Sequence, residues 1–229
     1  MNKNILILGD GLLAGELQSI LQCNYISRKK DKIDFCSTES YFNFLKDYDT
    51  IINCIGYVNT YCNNKELHWN INYKGVADLC DYCFYHNKKL IHISSDYVYA
   101  NSVPNASELD VPSNACNWYS YTKLLSDGYI QLKLTNYLLI RTSFKKYPLN
   151  YKYGWSTVGN FDFVKTIATL IVKLINKECT GLFNVGTEKK CLHELIHRTN
   201  SEVIPTDNYI HHSTPSDVSM NISKMKNLI

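Results

Sequence analysis

Asn4-Ile5-Leu6-Ile7-Leu8-Gly9-Asp10-Gly11-Leu12-Leu13-Ala14-Gly15 joins an apolar run to a glycine turn and then to a stretch with helical spacing. In that order the residues predict a buried strand, a tight turn and the start of a helix, the opening of a βαβ unit. The missing side chains at Gly9 and Gly11 would let a pyrophosphate approach the backbone N–H groups of the turn and of Leu12 and Leu13, at the positive end of the helix. A glycine turn without a ligand is the plainer reading, and the strand before it and helix after it weigh against that.

Outward from this unit, short runs rich in Ile, Leu and Val alternate with amphipathic stretches. The runs predict strands over 4–8, 24–27, 50–54, 89–94, 137–141 and 181–185. Apolar spacings of three and four predict helices over 12–21, 40–46, 67–85, 118–134, 161–176 and 191–199. Strands alternating with helices define an α/β fold, here a doubly wound parallel sheet with helices on both faces. Residues 144–160 form an irregular aromatic stretch, and the tail after Val203 is polar and turn-rich. The expected division is a dinucleotide-binding core over 1–143 and, over 144–229, a small, reduced substrate-binding part together with the last core strand and helix, integrated in the same domain.

With 229 residues the chain can build one sizeable core. A net charge of +3 with scattered lysines argues against a nucleic-acid partner. Nine cysteines are spread through the chain, several within apolar runs such as Ile52-Asn53-Cys54-Ile55, and are read as reduced. No apolar run approaches membrane-spanning length, so no membrane partner is expected and a cytoplasmic protein follows.

Four further clusters carry chemistry. The second strand ends Ser27-Arg28-Lys29-Lys30, where a dinucleotide site often has a ribose-binding carboxylate; cations there favour a 2′-phosphate, hence NADP, with NADPH preferred over NADH. A solvated basic loop is the bland alternative. The third strand ends in Cys54, Ile55 and Gly56, small or apolar residues that would let a nucleotide lie across the strand ends, although an ordinary buried strand reads the same way. Ser94 and Ser95 close the fourth strand, and Ser95 is placed to hold a carbonyl for hydride attack. Tyr119 and Lys123 stand at i and i+4 of one helix, so the ammonium could lower the phenol pKa and also bond a cofactor ribose hydroxyl, which places both residues at the cofactor as well, and the phenol could donate a proton. Such a pair is common by chance among 18 tyrosines, and its distance from the serine strand is what singles it out.

Two motifs point elsewhere. His193-Glu194-Leu195-Ile196-His197 matches a zinc-peptidase pattern, with His211 or His212 as a third ligand, but a glycine-rich nucleotide turn has no place in that class and no metal is expected. Cys80 and Cys83 lack a matching pair elsewhere and read as helix residues.

Asn53-Cys54-Ile55-Gly56, Asn72-Tyr73-Lys74-Gly75, Ser94-Ser95-Asp96-Tyr97-Val98-Tyr99, Tyr119 to Lys123 and Arg141-Thr142-Ser143 together resemble the extended short-chain dehydrogenase/reductase superfamily, and within it the dTDP-4-dehydrorhamnose reductase group. Gly181-Leu182-Phe183-Asn184-Val185-Gly186 and Thr214 to Met220 resemble its later segments. The resemblance implies a Rossmann-type fold and a reductase of a nucleotide-linked 4-keto-6-deoxyhexose. Catalytic Ser95, Tyr119 and Lys123, Asn72 on the cofactor, Asp34 and Phe35 near its adenine, and Phe144 beside Ser94 and Ser95 at the substrate follow from the same likeness. A homodimer is open, as are an epimerase/reductase and a non-catalytic NADP-binding regulatory subunit. The middle glycine of the group's turn is absent, with Leu12 in its place, and the chain between Ser143 and Asn160 lacks a helix that the group has.

Overall fold

A computed structural model of the chain describes residues 4–110, 115–208 and 214–229. Its centre is a wholly parallel sheet of β1 (Ile5–Leu8), β2 (Asn24–Ile26), β3 (Thr50–Asn53), β4 (Lys89–Ile93), β5 (Tyr137–Thr142) and the strand Gly181–Val185. Across the sheet the order is β2, β1, β3, β4, β5 and then Gly181–Val185. The chain therefore winds one way from β1 to β2 and the other way from β3 onward. The reversal between β1 and β3 opens a crevice at the carboxyl ends of the strands, where ligands of such sheets bind.

Alternating strand side chains supply both faces with apolar surface. Ile7, Ile52, Ile91 and Ile140 pack with Leu13 and Leu17 of the helix Leu12–Leu21 and with Ile167 and Ile171 of the helix Val164–Asn176. Leu6, Ile51, Leu90 and Leu139 pack on the other face with Val76 and Leu79 of the helix Gly75–Tyr85 and Ile130 of the helix Trp118–Lys133. The near-continuous apolar strands are explained by this two-sided burial. Each of the six expected strands lies within one residue of its predicted bounds.

Differences concentrate where the sequence has no period. The helix expected over 67–85 is composite: a turn at Lys65–Leu67, a π-helical segment at His68–Lys74, and then Gly75–Tyr85. The one expected over 40–46 is reduced to Phe42–Leu45 after a 3₁₀ turn at Thr38–Ser40. That over 161–176 begins only at Val164, because Asp162–Phe163 pairs with Phe144–Lys145, and that over 191–199 covers Leu192–His197. The stretch 144–160 is more ordered than expected: Tyr153–Trp155 pairs with Ile204–Thr206, and Val158–Gly159 with Lys190–Cys191. Strands of two or three residues are too short to leave an alternating pattern. They enclose a third apolar cluster of Leu149, Phe161, Leu195, Ile196 and Val203.

One ion pair fastens the helix Trp118–Lys133 to the sheet. Arg141 Nε on β5 donates to Asp127 Oδ2 at 2.8 Å, with the two side chains 4% and 0% exposed. Arg141 Nη1 donates to the Tyr99 hydroxyl at 2.7 Å, and that hydroxyl donates to Asn184 Oδ1 at 3.0 Å. Removing one partner strands the other charge away from water. Asp127→Ala should therefore lower the unfolding free energy by about 3–5 kcal/mol in urea denaturation followed by circular dichroism.

Candidate active site

At the carboxyl edge of the sheet a cavity of about 590 Å³ opens beside the reversal point. Cys54, Ile55 and Gly56 line it from the end of β3, Ser94 and Ser95 from the end of β4, Tyr119 and Lys123 from the helix Trp118–Lys133, and Thr142, Ser143, Phe144 and Lys145 from the end of β5.

The start of that helix is fixed by its cap. Asn117 Oδ1 accepts the Ser120 N–H at 2.9 Å while Ser120 Oγ accepts the Asn117 N–H at 3.3 Å, a reciprocal pair that sets the first turn. Tyr119 thus lies in the first turn, with Lys123 one turn on. The Tyr119 ring is held edge-on by Tyr97 at 6.1 Å and His68 at 6.2 Å, and its hydroxyl lies beside Ser95, which acts to lower its pKa. Ser95 Oγ also accepts the Tyr97 N–H at 3.2 Å and donates to Asp96 Oδ1 at 3.2 Å. The alcohol and the phenol converge, as the spacing of their segments implied.

The expected electrostatic relation between Tyr119 and Lys123 is different in the structure. Burial pushes the Tyr119 phenol up to about 12, with Ser95 opposing it only in part. Lys123 is 3% exposed and donates instead to the Ile93 carbonyl at 2.7 Å, with His92 Nε2 at 3.2 Å. Its own pKa is brought down to about 8 by burial, which Asp127 partly offsets. At neutral pH the phenol therefore holds its proton, the state required of a donor.

Beside this set, the turn after β1 fits a dinucleotide. Gly9 has φ +110°, a backbone that only glycine adopts without strain. A Cβ added at Gly11 would meet nothing within 4 Å, so the space over the helix start is open. That ten-residue helix has no side-chain cap and no acidic residue in its first turn, which leaves the N–H groups around Leu12 and Leu13 without a side-chain acceptor from the cap. Arg28 and Lys29 are exposed after β2. Beside them Ser27 has a structural role: its Oγ accepts the Lys30 N–H at 3.1 Å, capping a short helix at Arg28–Asp31.

Two other expected contacts are also taken up by the fold. The Phe35 ring is buried against Tyr41, and a Cβ on Gly75 would lie 2.8 Å from it, so the Phe35 side chain belongs to the core. Asp34 is exposed, and its Oδ1 accepts the Cys36 N–H at 2.9 Å. Asn72 Oδ1 accepts the Tyr57 N–H at 2.7 Å and its Nδ2 donates to the Tyr57 carbonyl at 3.0 Å, clamping the loop that carries Gly56. Asn72 acts on the cavity through that loop.

At the far end, the buried hydroxyls of Ser94 and Thr142 find no hydrogen-bond partner among the described residues although both line the cavity. Phe144 lies beside them. Sequence reasoning missed three neighbours: Asp96, Lys145 and Tyr97. The Asp96 carboxyl is 1% exposed and pushed up to about 6 by burial, against the opposing charge of Lys145. Tyr97 and Tyr61 share a 2.7 Å hydroxyl contact, and the Thr214 hydroxyl donates to Tyr61 at 3.0 Å. The order Ser94-Ser95-Asp96-Tyr97 was a signal for two of them, since a 3₁₀ turn at Asp96–Tyr99 brings the next side chains back to the strand end.

Of the zinc-peptidase pattern, Glu194 accepts the Cys191 N–H at 2.8 Å as its own helix cap, and His193 Nε2 lies 3.3 Å from the Val203 carbonyl. His211 and His212 lie outside the described residues. Cys80 and Cys83 are buried in the core, where burial raises each thiol to about 12.

The architecture is that of the Rossmann-type α/β proteins. The chain belongs to the family described as the RmlD substrate binding domain, which matches residues 3–171. Among solved structures it is similar to a hypothetical dTDP-4-dehydrorhamnose reductase from Sulfolobus tokodaii, at 22% identity and TM-score 0.85 over 99% of this chain and 94% of that one. A dTDP-4-dehydrorhamnose reductase from Bacillus anthracis in complex with NADP aligns at 19% identity and TM-score 0.84, over 99% and 93% of the two chains. The Bordetella bronchiseptica enzyme WbmG in complex with NAD and UDP aligns at 13% and 0.79, over 98% and 88%. No curated protein matches the sequence significantly.

The raised Asp96 carboxyl gives a signed prediction. The folded protein binds its proton more tightly than the unfolded chain, with its ordinary value of 3.8, so stability falls as pH rises from about 4 to 6 and is level above. Relative to Asp96→Asn, the native protein should lose up to about 3 kcal/mol across that window in paired urea titrations.

Proposed function

We propose that the protein is an NADPH-dependent reductase of the short-chain type, acting on a nucleotide-linked 4-keto-6-deoxyhexose with Ser95, Tyr119 and Lys123 as its catalytic residues. The contact between the Ser95 hydroxyl and the Tyr119 phenol, in one cavity with Lys123 at the sheet's carboxyl edge, carries this reading. Family membership supports the substrate class. The Bacillus anthracis structure with NADP supports the cofactor, and the WbmG structure with UDP supports a nucleotide-carried substrate.

In this reading Gly9, Gly11, Leu12 and Leu13 hold the pyrophosphate through backbone N–H groups, and Arg28 and Lys29 meet the 2′-phosphate. Asp34 and the backbone of Phe35 border the adenine, while Cys54, Ile55 and Gly56 form the floor. NADPH bound there supplies the hydride. Ser95 hydrogen-bonds the substrate carbonyl and fixes its direction. Tyr119 releases its proton to the oxygen as negative charge develops, and Lys123, when charged, stabilises the phenolate left behind. Ser94, Thr142 and Phe144 border the sugar. Within residues 144–229, the segments outside the core helix Val164–Asn176 and the core strand Gly181–Val185 contribute the small substrate lobe, with Phe161 and Trp155 as its apolar wall.

A regulatory subunit that binds NADP without turnover would give the Ser95–Tyr119 contact no task. The reductase reading extends to a cytosolic homodimer, for which Trp69, Tyr85, Tyr121 and Leu132 expose apolar area on neighbouring helices; sedimentation equilibrium reads the mass.

Three measurements test the reading. In a thermal-shift panel, NADP and a dTDP-, UDP- or GDP-linked sugar should each raise the melting temperature, and no shift with any of them would sink it. Tyr119→Phe should lower kcat for a keto-sugar nucleotide by about 10²–10⁴-fold while leaving NADP binding within a factor of two or so. The double substitution Arg28→Ala, Lys29→Ala should weaken NADP by roughly tenfold or more and leave NAD unchanged, as titrated by calorimetry.

A further inference from the structure

Lys123 is contacted by a buried pair of side chains, His92 and, beyond it, Asn53, to which the scheme above gives no role. Asn53 Nδ2 at the end of β3 is 3.2 Å from His92 Nδ1 on β4, and His92 Nε2 is 3.2 Å from Lys123 Nζ. Asn53 and His92 are each 0% exposed. A separate contact orients the amide: Asn53 Oδ1 accepts the Ile55 N–H at 3.0 Å, which turns the Nδ2 hydrogens toward the ring. Burial first, and the Lys123 charge second, hold the His92 pKa well below its ordinary value, so the imidazole is neutral.

A neutral imidazole has one N–H and one lone pair. With Asn53 donating to Nδ1, the lone pair is on Nδ1 and the N–H is on Nε2, aimed at the lysine nitrogen. An ammonium has only donors and opposes that N–H, whereas a free amine accepts it and can still donate to the Ile93 carbonyl.

We propose that His92 is a positioning residue for Lys123, its tautomer fixed by Asn53 so that a ring N–H meets the lysine nitrogen and favours its uncharged form. The consequence for turnover rests on the reductase reading; the charge relation itself does not.

The groups facing Lys123 agree with this. Tyr119 and Asp127 lie one turn before and after it on its own helix, Cys54 faces it from the end of β3, and His92 from β4. Asp127 and Cys54 favour the charged lysine, but Asp127 already binds Arg141 of β5 through Oδ2, and its Oδ1 has no partner. Two buried cations thus share one carboxylate, and burial prevails, bringing Lys123 to about 8. Above its midpoint the lysine no longer stabilises a Tyr119 phenolate, so reduction should decline on the alkaline side with that midpoint.

Nuclear magnetic resonance on the full chain tests the relation without cofactor or substrate. ¹⁵N spectra of the histidine rings should show His92 protonated on Nε2 at neutral pH; an Nδ1–H ring overturns the proposal. ¹³C spectra of the lysine ε-carbons should show Lys123 titrating below the other lysines. Asn53→Asp, which puts an acceptor against Nδ1 and frees the Nε2 lone pair, should raise that midpoint by about one pH unit or more, a tenfold change in proton affinity. Asn53→Leu adds no charge and should raise it by a smaller amount. If only Asn53→Asp moves the midpoint, the effect is charge alone and the proposal fails. Should neither variant fold, the ring tautomer of the native protein decides. The alkaline limb of kcat/KM should follow the midpoint upward in Asn53→Asp. The expected spectra without turnover on any keto-sugar nucleotide would sink the reductase reading and leave the His92 relation intact.

Discussion

Arg141 and Asp127 meet at 2.8 Å where neither reaches water, and the placement of Tyr119 and Lys123 over the sheet edge depends on that contact. The helix carrying Tyr119 and Lys123 lies across β4 and β5, and apolar packing alone would let it slide by a fraction of a turn. A charge pair with fixed hydrogen-bond directions does not tolerate such a slide, because a displaced Arg141 would face low-dielectric surroundings without its partner. Tyr99 and Asn184 extend the constraint to the strand Gly181–Val185. Three elements distant in sequence are thereby held in one register, and the cavity inherits it.

The fold was legible because two-sided burial writes itself as unbroken Ile and Leu runs, and because glycine is the residue that a φ of +110° at position 9 requires. Ser95, Tyr119 and Lys123 were legible through spacing, since strand end and helix start set their separation. The bonding of Lys123 was not: its partners His92 and Ile93 lie about thirty residues away, and only the register of β4 brings them near. The structural partners of Ser27, Phe35 and Asn72 were hidden for a related reason. Each sits where a cofactor contact is expected, yet the nearest unmet need in each case belongs to the protein: a helix cap, a core contact, a loop clamp.

The π-helical segment His68–Lys74 shows the same limit in a backbone. Its apolar spacing is compatible with an ordinary helix, and nothing local announces the wider turn. What the extra residue achieves is tertiary. It sends His68 toward Tyr119 and Asn72 toward the loop after β3 from one stretch of helix, so one element supports both the phenol and the floor of the cavity.

The shortness of the edge strand β2 has a bearing on solubility. A parallel sheet that ends in a long bare strand offers a template on which another chain can add. Here the terminal strand is only three residues, Asn24–Ile26, and Lys30 folds back over Tyr25 with its ammonium 4.3 Å from the ring and donating to the Tyr25 carbonyl. At the opposite margin the short helix Ser223–Lys226 packs on Gly181–Val185, and Lys224 donates to the Leu182 carbonyl. Both margins are thus blunted by lysines that occupy strand carbonyls, and growth of the sheet into a fibre is opposed at each end.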